Sequence, residues 1–451
     1  MRIAIVGGGA SGVLSLVHLA RCWSAEQPPE VVLYDDSGRF ARGAAYSTEN
    51  PRHLLNVPAS RMSAVADDPD HFVRWLKRGH GSVKPGDYRR RSEYGDYLSH
   101  CLTTHGSVVD LRLRTAGVVD IERSNTGWMV RHGLGTDRVD AVVLALGHAA
   151  PAPLPVSGPP SERYVPDPWA AEALERLLET TCPGDTVLAV GTGLTAVDVA
   201  LALVPLGRRL VALSRRGLLP ASQREVMPSP VEPQMPSETS LTAADVERFV
   251  IHHVAAVTSS GEDWRAAIDG VRPITAQLWQ RMSADERAVF LRGAARRWEV
   301  VRHRMAPAAA RCIESWRDSG RFEPQRGEVV AAIRAADRVR LTVRRPDDGI
   351  EGVEAAAVVN CTGPTCAIDA YPLGRRLHLR GLVQPDAHGL GVVVTPDGCA
   401  VDETGWSDPT LRVVGALRRG AVYESTAIPE LREQAAQMAA ALSGTRSSQS
   451  A

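Results

Sequence analysis

A short apolar strand, a glycine-rich turn and an apolar helix follow one another twice in this chain, and no other feature restricts its fold as much. The first copy reads Met1-Arg2-Ile3-Ala4-Ile5-Val6, then Gly7-Gly8-Gly9-Ala10-Ser11-Gly12, then Val13 to Ala20. Glycine at Gly7 permits a tight turn, at Gly9 it lets a pyrophosphate approach the backbone, and at Gly12 it lets helix and strand pack closely. Ala10 and Ser11 open the helix, whose free N–H groups and positive dipole end face the phosphates. The next strand, Glu30 to Tyr34, ends at Asp35. A carboxylate there accepts ribose hydroxyls and repels a 2′-phosphate, so this half suits FAD or NAD and not NADP.

The second copy runs from Thr186 to Val190, through Gly191-Thr192-Gly193-Leu194-Thr195-Ala196, into a helical stretch from Val197 to Leu203. Gly191 and Gly193 take the turn and approach positions, and Leu194 and Thr195 open the helix. Ala196 takes the close-packing position. The following strand, Arg209 to Leu213, ends in Ser214-Arg215-Arg216 instead of an acid. Arg215 and Arg216 can grip a 2′-phosphate in two-pronged fashion, which favours NADPH. NADH stays open, because all but Lys77 and Lys84 of the 52 basic residues are arginine and such a pair arises readily by composition. A vestigial turn without a ligand is the bland alternative for this copy. The basic residues are balanced by 52 acidic ones, so no global field recruits nucleic acid or a membrane surface. The chain opens on a strand with no basic, apolar leader and no membrane-length apolar run, which predicts a cytoplasmic location.

Beyond these motifs the sequence resembles two-dinucleotide-binding-domain flavoproteins, and among them the flavin-dependent N-hydroxylating and Baeyer–Villiger monooxygenases. Gly43-Ala44-Ala45-Tyr46-Ser47, and the segment from His53 through Asn56 to Met62-Ser63, resemble the stretch those proteins lay along the flavin. Leu144-Ala145-Leu146-Gly147-His148 is similar to their first linker signature, and Val359-Asn360-Cys361-Thr362-Gly363-Pro364 to the returning one. The segment from Val414 through Ser425-Thr426 to Leu431 resembles their C-terminal flavin motif. The resemblance therefore implies FAD contacts at Asn56, Met62, Ser63, Gly147, Gly363, Ser425 and Thr426. Ser425 or Thr426 is also a natural cap for a helix running to Leu442, whose N–H groups would face the flavin pyrimidine.

The predicted fold class is α/β, with two Rossmann-like dinucleotide-binding domains and a helical segment. The FAD domain is discontinuous and the NAD(P)H domain is inserted into it. The expected boundaries are 1–160 and 346–442 for the FAD domain and 161–345 for the insert, with a disordered tail over 443–451. The proline-dense stretch from Pro151 to Pro160 reads as a linker. Leu218 to Thr242, with five prolines, reads as an excursion loop. Helices are expected over Ala243–Val257, Trp264–Trp279 and Ala284–Ser319. The last carries the basic residues Arg296, Arg297, Arg302, His303 and Arg304, which read as a solvated face; alternatively Arg302, His303 or Arg304 reaches toward substrate or nicotinamide phosphate.

No nucleophile motif, paired acid and base or metal-ligand cluster stands out, and His53, His148 and His388 read more readily as structural than as bases. That suits chemistry carried by a flavin. The resemblance implies that NADPH reduces FAD and that O₂ then forms a C4a-hydroperoxyflavin. This species would oxygenate a small-molecule amine nitrogen, that of an amino-acid-like substrate in natural-product biosynthesis. Two alternatives remain: an NAD(P)H:acceptor oxidoreductase acting on a quinone, or on a disulfide through Cys361 and Cys366, and a non-catalytic flavin redox sensor. Oligomeric state leaves no mark in the sequence.

Overall fold

The computed structural model describes residues 1–23, 27–335 and 337–449. Strand Arg2–Val6 is apolar on both faces, as a strand covered on both sides must be. It lies inside a six-stranded sheet in the order Cys399–Val401, Ser407–Val413, Ala141–Leu144, Arg2–Val6, Glu30–Asp35, Asp110–Thr115. All neighbours run parallel except the Cys399–Val401 edge. Helix Ala10–Cys22 is buried on nearly every side. It packs between this sheet and the final helix, Ile428–Gln449, which contributes Leu431, Ala435, Met438 and Leu442 to the shared core.

A second, wholly parallel sheet has the order Tyr164–Val165, Ala357–Asn360, Thr186–Val190, Arg209–Ser214, Phe322–Arg326. The two-domain α/β fold expected from the paired glycine motifs is therefore present, with one domain threaded through the other. The crossings fall elsewhere than expected. Val156–Ser157 pairs with Glu328–Arg334, and Ile350–Ala355 pairs with Val339–Arg344, all within the inserted domain. The fully buried strand Ala357–Asn360 lies in register beside Thr186–Val190, Val187 opposite Ala357. The chain thus leaves the first domain after Leu144 and returns after Asn360, not at 160 and 346. A four-residue apolar strand suits either sheet equally, so its pattern cannot say which one it joins.

The helical segment expected within the insert is real but more broken. Ala243–Ser259 is continuous, whereas Ala284–Ser319 divides into Ala284–Arg292, Ala295–Arg302 and Pro307–Asp318. The breaks fall at Gly293 and before Pro307, a helix-opening proline with no N–H to donate. The last helix continues to Gln449, past residue 443, where the sequence reading ends order; residues 450–451 of that tail lie outside the described residues. Among the described residues no helix is long and apolar enough to cross a membrane.

One buried group gives this core a pH dependence. His18, on helix Ala10–Cys22, is 4% exposed, and its Nε2 has no hydrogen-bond partner among the described residues. Burial lowers its pKa from 6.5 to about 4. The unfolded chain therefore binds the extra proton between those values and the folded chain does not. Stability conferred by neutral His18 is complete above pH 6.5 and is lost as the pH falls toward 4, by about 2–3 kcal/mol. Urea midpoints at pH 7 and pH 5 should separate in the wild type and converge in His18→Leu. An undiminished gap in the variant would assign the effect to other groups.

Candidate functional site

The first glycine turn shows why each residue there is small. A Cβ on Gly7, at φ +113°, would lie 2.2 Å from the Ala145 carbonyl oxygen, and one on Gly12 would lie 1.9 Å from the Gly7 oxygen. Gly8, which the motif leaves unspecified, is equally constrained, because a Cβ there would meet Phe40 and the Asp35 side chain at 2.8 Å. Gly9 differs. Its added Cβ would touch only Gly43, at 3.5 Å, so that side of the turn is open space.

The open space is a cavity of about 530 Å³, within the range of small-molecule and cofactor pockets. Gly7, Gly9, Ala10, Ser11, Asp35, Gly147 and Thr426 all line it. The Gly43–Tyr46 helix, Arg42, His148 and Tyr371 complete the wall. Helix Ala10–Cys22 starts there with no side-chain cap at Gly9, leaving its first N–H groups for an anion. Asp35 accepts from the Gly8 N–H at 3.2 Å and from Ser37 at 3.0 Å. These bonds hold its carboxylate at the cavity edge with lone pairs to spare. Ser425 lies 2% exposed with its Oγ unpartnered among the described residues, an orphan hydroxyl beside the cavity-lining Thr426. An uncapped helix start, a glycine cradle and a carboxylate at the ribose position fit a dinucleotide such as FAD.

Other expected contacts are placed elsewhere. Met62 is core, 3% exposed among Leu55, Phe72 and Tyr97. The Ser63 hydroxyl donates to the Asp68 carbonyl at 2.6 Å and so is internally satisfied. Asn56 lines a small polar recess with Arg61, Gln223, Arg302 and Arg304. Gly363 follows the strand Ala357–Asn360 of the second sheet and is absent from the first cavity's wall. Ser425 and Thr426 do not cap the last helix. It begins at Ile428, and the first carbonyl acceptor is that of Ala427. The sequence reading missed Tyr371, whose hydroxyl donates to the Gly147 carbonyl at 2.8 Å and accepts from the Ala149 N–H at 3.1 Å. A lone Tyr-Pro pair carries no signal that it will brace a distant linker. His148 is exposed on the cavity wall; desolvation by the groups around it, with Arg419 nearby, lowers its pKa to about 4.

The second turn repeats the geometry of the first. A Cβ on Gly191, at φ +123°, would lie 2.0 Å from the Cys361 carbonyl oxygen, and Ala196 is fully buried beneath the helix start at Leu194. Gly193 and Thr195 stay partly open. Arg215 is exposed just past the strand end, whereas the Arg216 guanidinium donates to the Arg292 carbonyl. Only Arg215 of the expected pair is therefore uncommitted. A cation the motif did not predict stands closer. The Arg296 guanidinium nitrogens lie 3.9 Å from a Cβ built on Gly193, steered by a 3.0 Å bond to the Leu218 carbonyl. Arg296 is half-buried and pairs with Glu299 at 3.6 Å, whereas Arg302 and Arg304 are spent on buried ion pairs with Glu424 and Asp269. The adjacent His303 is lowered to about 3 by burial, with Arg302 adding.

The helix of the second turn is clamped to the first domain. Arg91 of the first domain pairs with Asp198, on the helix of the second turn, at 2.9 Å, and His53 Nε2 meets the Asp198 carbonyl at 2.9 Å. His53 is thus structural, as expected. Cys361 and Cys366 are both free and buried, and burial pushes both thiols up.

Residues 4–149 match the model of a family described as FAD-NAD(P)-binding, which is the segment carrying the first turn and its cavity. The monooxygenase ptmN of Penicillium ochrochloron is 28% identical over 208 residues, 44% of this chain and 32% of that protein. The chain thus spans about a third of the length of the curated relatives it matches. Among solved structures, the ornithine N-hydroxylase of Kutzneria sp. 744, in its FADred–NADP+–L-orn form, superposes with a TM-score of 0.63 at 15% identity, over 98% of this chain and 99% of that one. L-lysine 6-monooxygenase from Pseudomonas syringae gives 0.64 at 16% identity, over 98% of each. The fold is that of two-dinucleotide-binding flavoproteins.

Proposed function

We propose that the protein is an FAD-dependent, NADPH-consuming monooxygenase that oxygenates a small-molecule substrate at an amine nitrogen. The observation that carries this reading is the pair of glycine turns in one chain, one facing a dinucleotide-sized cavity with a ribose-ready carboxylate and the other flanked by Arg296 and Arg215. A single-cofactor dehydrogenase needs only one such turn. When held there, FAD would supply the two-electron chemistry between NADPH and O₂ that no side chain here provides. This chain's residues then bind, orient and enclose. Gly7 to Ser11 and the helix start hold the pyrophosphate of FAD, and Asp35 holds its ribose. Arg296 and Arg215 receive the phosphates of NADPH. His148, neutral and on the cavity wall, offers one donor and one acceptor without adding charge.

Likeness to amine-oxygenating enzymes in fold supports the choice of nitrogen as the oxygenated atom. The burial of Cys361 and Cys366 opposes the disulfide-reducing alternative, because the attacking species there is an accessible thiolate. Substrate-stimulated NADPH oxidation, with ¹⁸O from ¹⁸O₂ appearing in the product, is the expected result. Turnover at the same rate without oxygen would overturn the reading. Arg296→Ala should raise the KM for NADPH about tenfold, the loss of one phosphate contact worth roughly 1.4 kcal/mol, with FAD content unchanged. An unchanged KM would remove Arg296 from the nucleotide site.

A further inference from the structure

A second cavity, separate from the dinucleotide site, lies inside the helical segment. It measures about 270 Å³ and is walled by Val250, Leu278, Trp279, Phe290, Trp298 and Tyr423. The indole N–H groups of its walls are already used, Trp279 on the Gly420 carbonyl at 2.7 Å and Trp298 on Glu424 at 3.2 Å. Both rings therefore present carbon to the interior. Among the described residues the charged groups on the lining, Glu247 and Arg297, are paired with each other, so the cavity asks no charge of what enters.

Such a space favours an apolar occupant. A dry cavity of about 150 Å³ lined by Leu, Ile and Phe accepts benzene, so this one has room for a fused bicyclic ring or an alkyl chain of similar bulk. Its wall is also tied to the first site. Tyr423 stacks on Trp279, with centroids 4.9 Å apart, and meets Phe290 edge-on at 5.4 Å. It holds a left-handed φ of +60°, which a non-glycine residue keeps only where its surroundings enforce it. Three residues on, Thr426 lines the dinucleotide cavity. Three residues span at most about 11 Å. The segment from Tyr423 to Thr426 therefore joins the wall of one cavity to the wall of the other.

We propose that this cavity takes the apolar part of the substrate. The substrate is then an amine bearing a fused bicyclic aromatic group or a comparable alkyl chain, not a free amino acid. The assignment of its amine end rests on the oxygenation reading above; the apolar end rests on the cavity alone.

The test is a calorimetric titration of the FAD-loaded protein with 2-naphthylmethylamine and with methylamine. It is run on the wild type and on the cavity-filling variants Ala294→Trp and Val250→Trp, each checked for wild-type FAD content and melting temperature. The naphthyl amine should bind the wild type at least tenfold more tightly than methylamine, and a filled variant should lose at least tenfold of that affinity. Equal affinity of the two amines for the wild type overturns the proposal without any variant. So does unchanged naphthyl affinity in a folded, filled variant. Turnover separates the two readings. If the naphthyl amine binds but takes up no ¹⁸O, while the variants bind it weakly, the oxygenation reading fails and the apolar site stands. If ornithine or lysine is oxygenated at full rate by both filled variants, the apolar substrate class fails and the oxygenation reading stands.

Discussion

Gly12→Ala should yield a protein that binds FAD at least a hundredfold more weakly than the wild type, purifies nearly colourless and melts at lower temperature. The added methyl would sit 1.9 Å from the Gly7 oxygen, with the Leu33 side chain at 3.3 Å behind it. Helix Ala10–Cys22 and strand Arg2–Val6 cannot move apart without giving up close packing, because both are buried on nearly every side. The helix must tilt away from the turn, carrying its N–H groups off the phosphate position. Gly9→Ala provides the contrast. Its methyl meets Gly43 at an ordinary 3.5 Å, so the fold should keep its melting temperature. The methyl nevertheless occupies the approach to the pyrophosphate, so FAD affinity should still fall. Flavin absorbance of the purified proteins and a thermal melt check both. A Gly12→Ala protein with full flavin content would refute the account of the turn.

Glu424→Ala should destabilise the protein by about 3–5 kcal/mol, the range for removing one partner of a buried ion pair. Arg302 and Glu424 side chains are 7% and 9% exposed and bond at 2.7 Å, and Trp298 donates to the same carboxylate. Alanine leaves a guanidinium facing Glu430, 4.0 Å away and already paired with Arg272, and the more distant Asp269, which is paired with Arg304. Glu424→Gln keeps the acceptor oxygen and should cost less. Because the pair joins the helical segment to the loop before the last helix, loss of order should begin there. Urea denaturation, with hydrogen exchange read over residues 243–302, measures both. Equal midpoints for wild type and Glu424→Ala would show that the pair contributes nothing net.

The sequence made the cofactor cradles legible and left the rest of the site obscure, for a physical reason. A glycine turn announces itself locally, since its spacing along one strand–helix unit is fixed by contacts such as Gly12 on Gly7, even though Ala145 and Cys361 close over Gly7 and Gly191 from distant strands. Gly7, Gly9, Gly12 and Asp35 could therefore be read in order along the chain, and so could Gly191, Gly193 and Ala196. Arg296 could not. It reaches the second turn from a helix a hundred residues away, and in an arginine-rich chain one more arginine carries no signal. Tyr371 is hidden in the same way. Family likeness named the segment holding Met62 and Ser63, but their side chains point into the core and into a local turn. The boundary at 346 failed because the second sheet borrows Ala357–Asn360, a contact that strand patterning cannot assign.

The two chain crossings have a mechanical consequence. Each leaves its domain directly over a glycine turn, Ala145 above Gly7 and Cys361 above Gly191, and the two are joined as an antiparallel ribbon where Ala149–Pro151 meets Pro364–Thr365. The ribbon forms a paired hinge pin, and a rotation of one domain against the other about it would displace distant helices by far more than either phosphate-binding turn. The nucleotide sites sit near the axis, where the lever arm is shortest. Arg91–Asp198, Arg302–Glu424 and Arg272–Glu430 each tie the two parts away from this axis, where a small rotation would stretch them most.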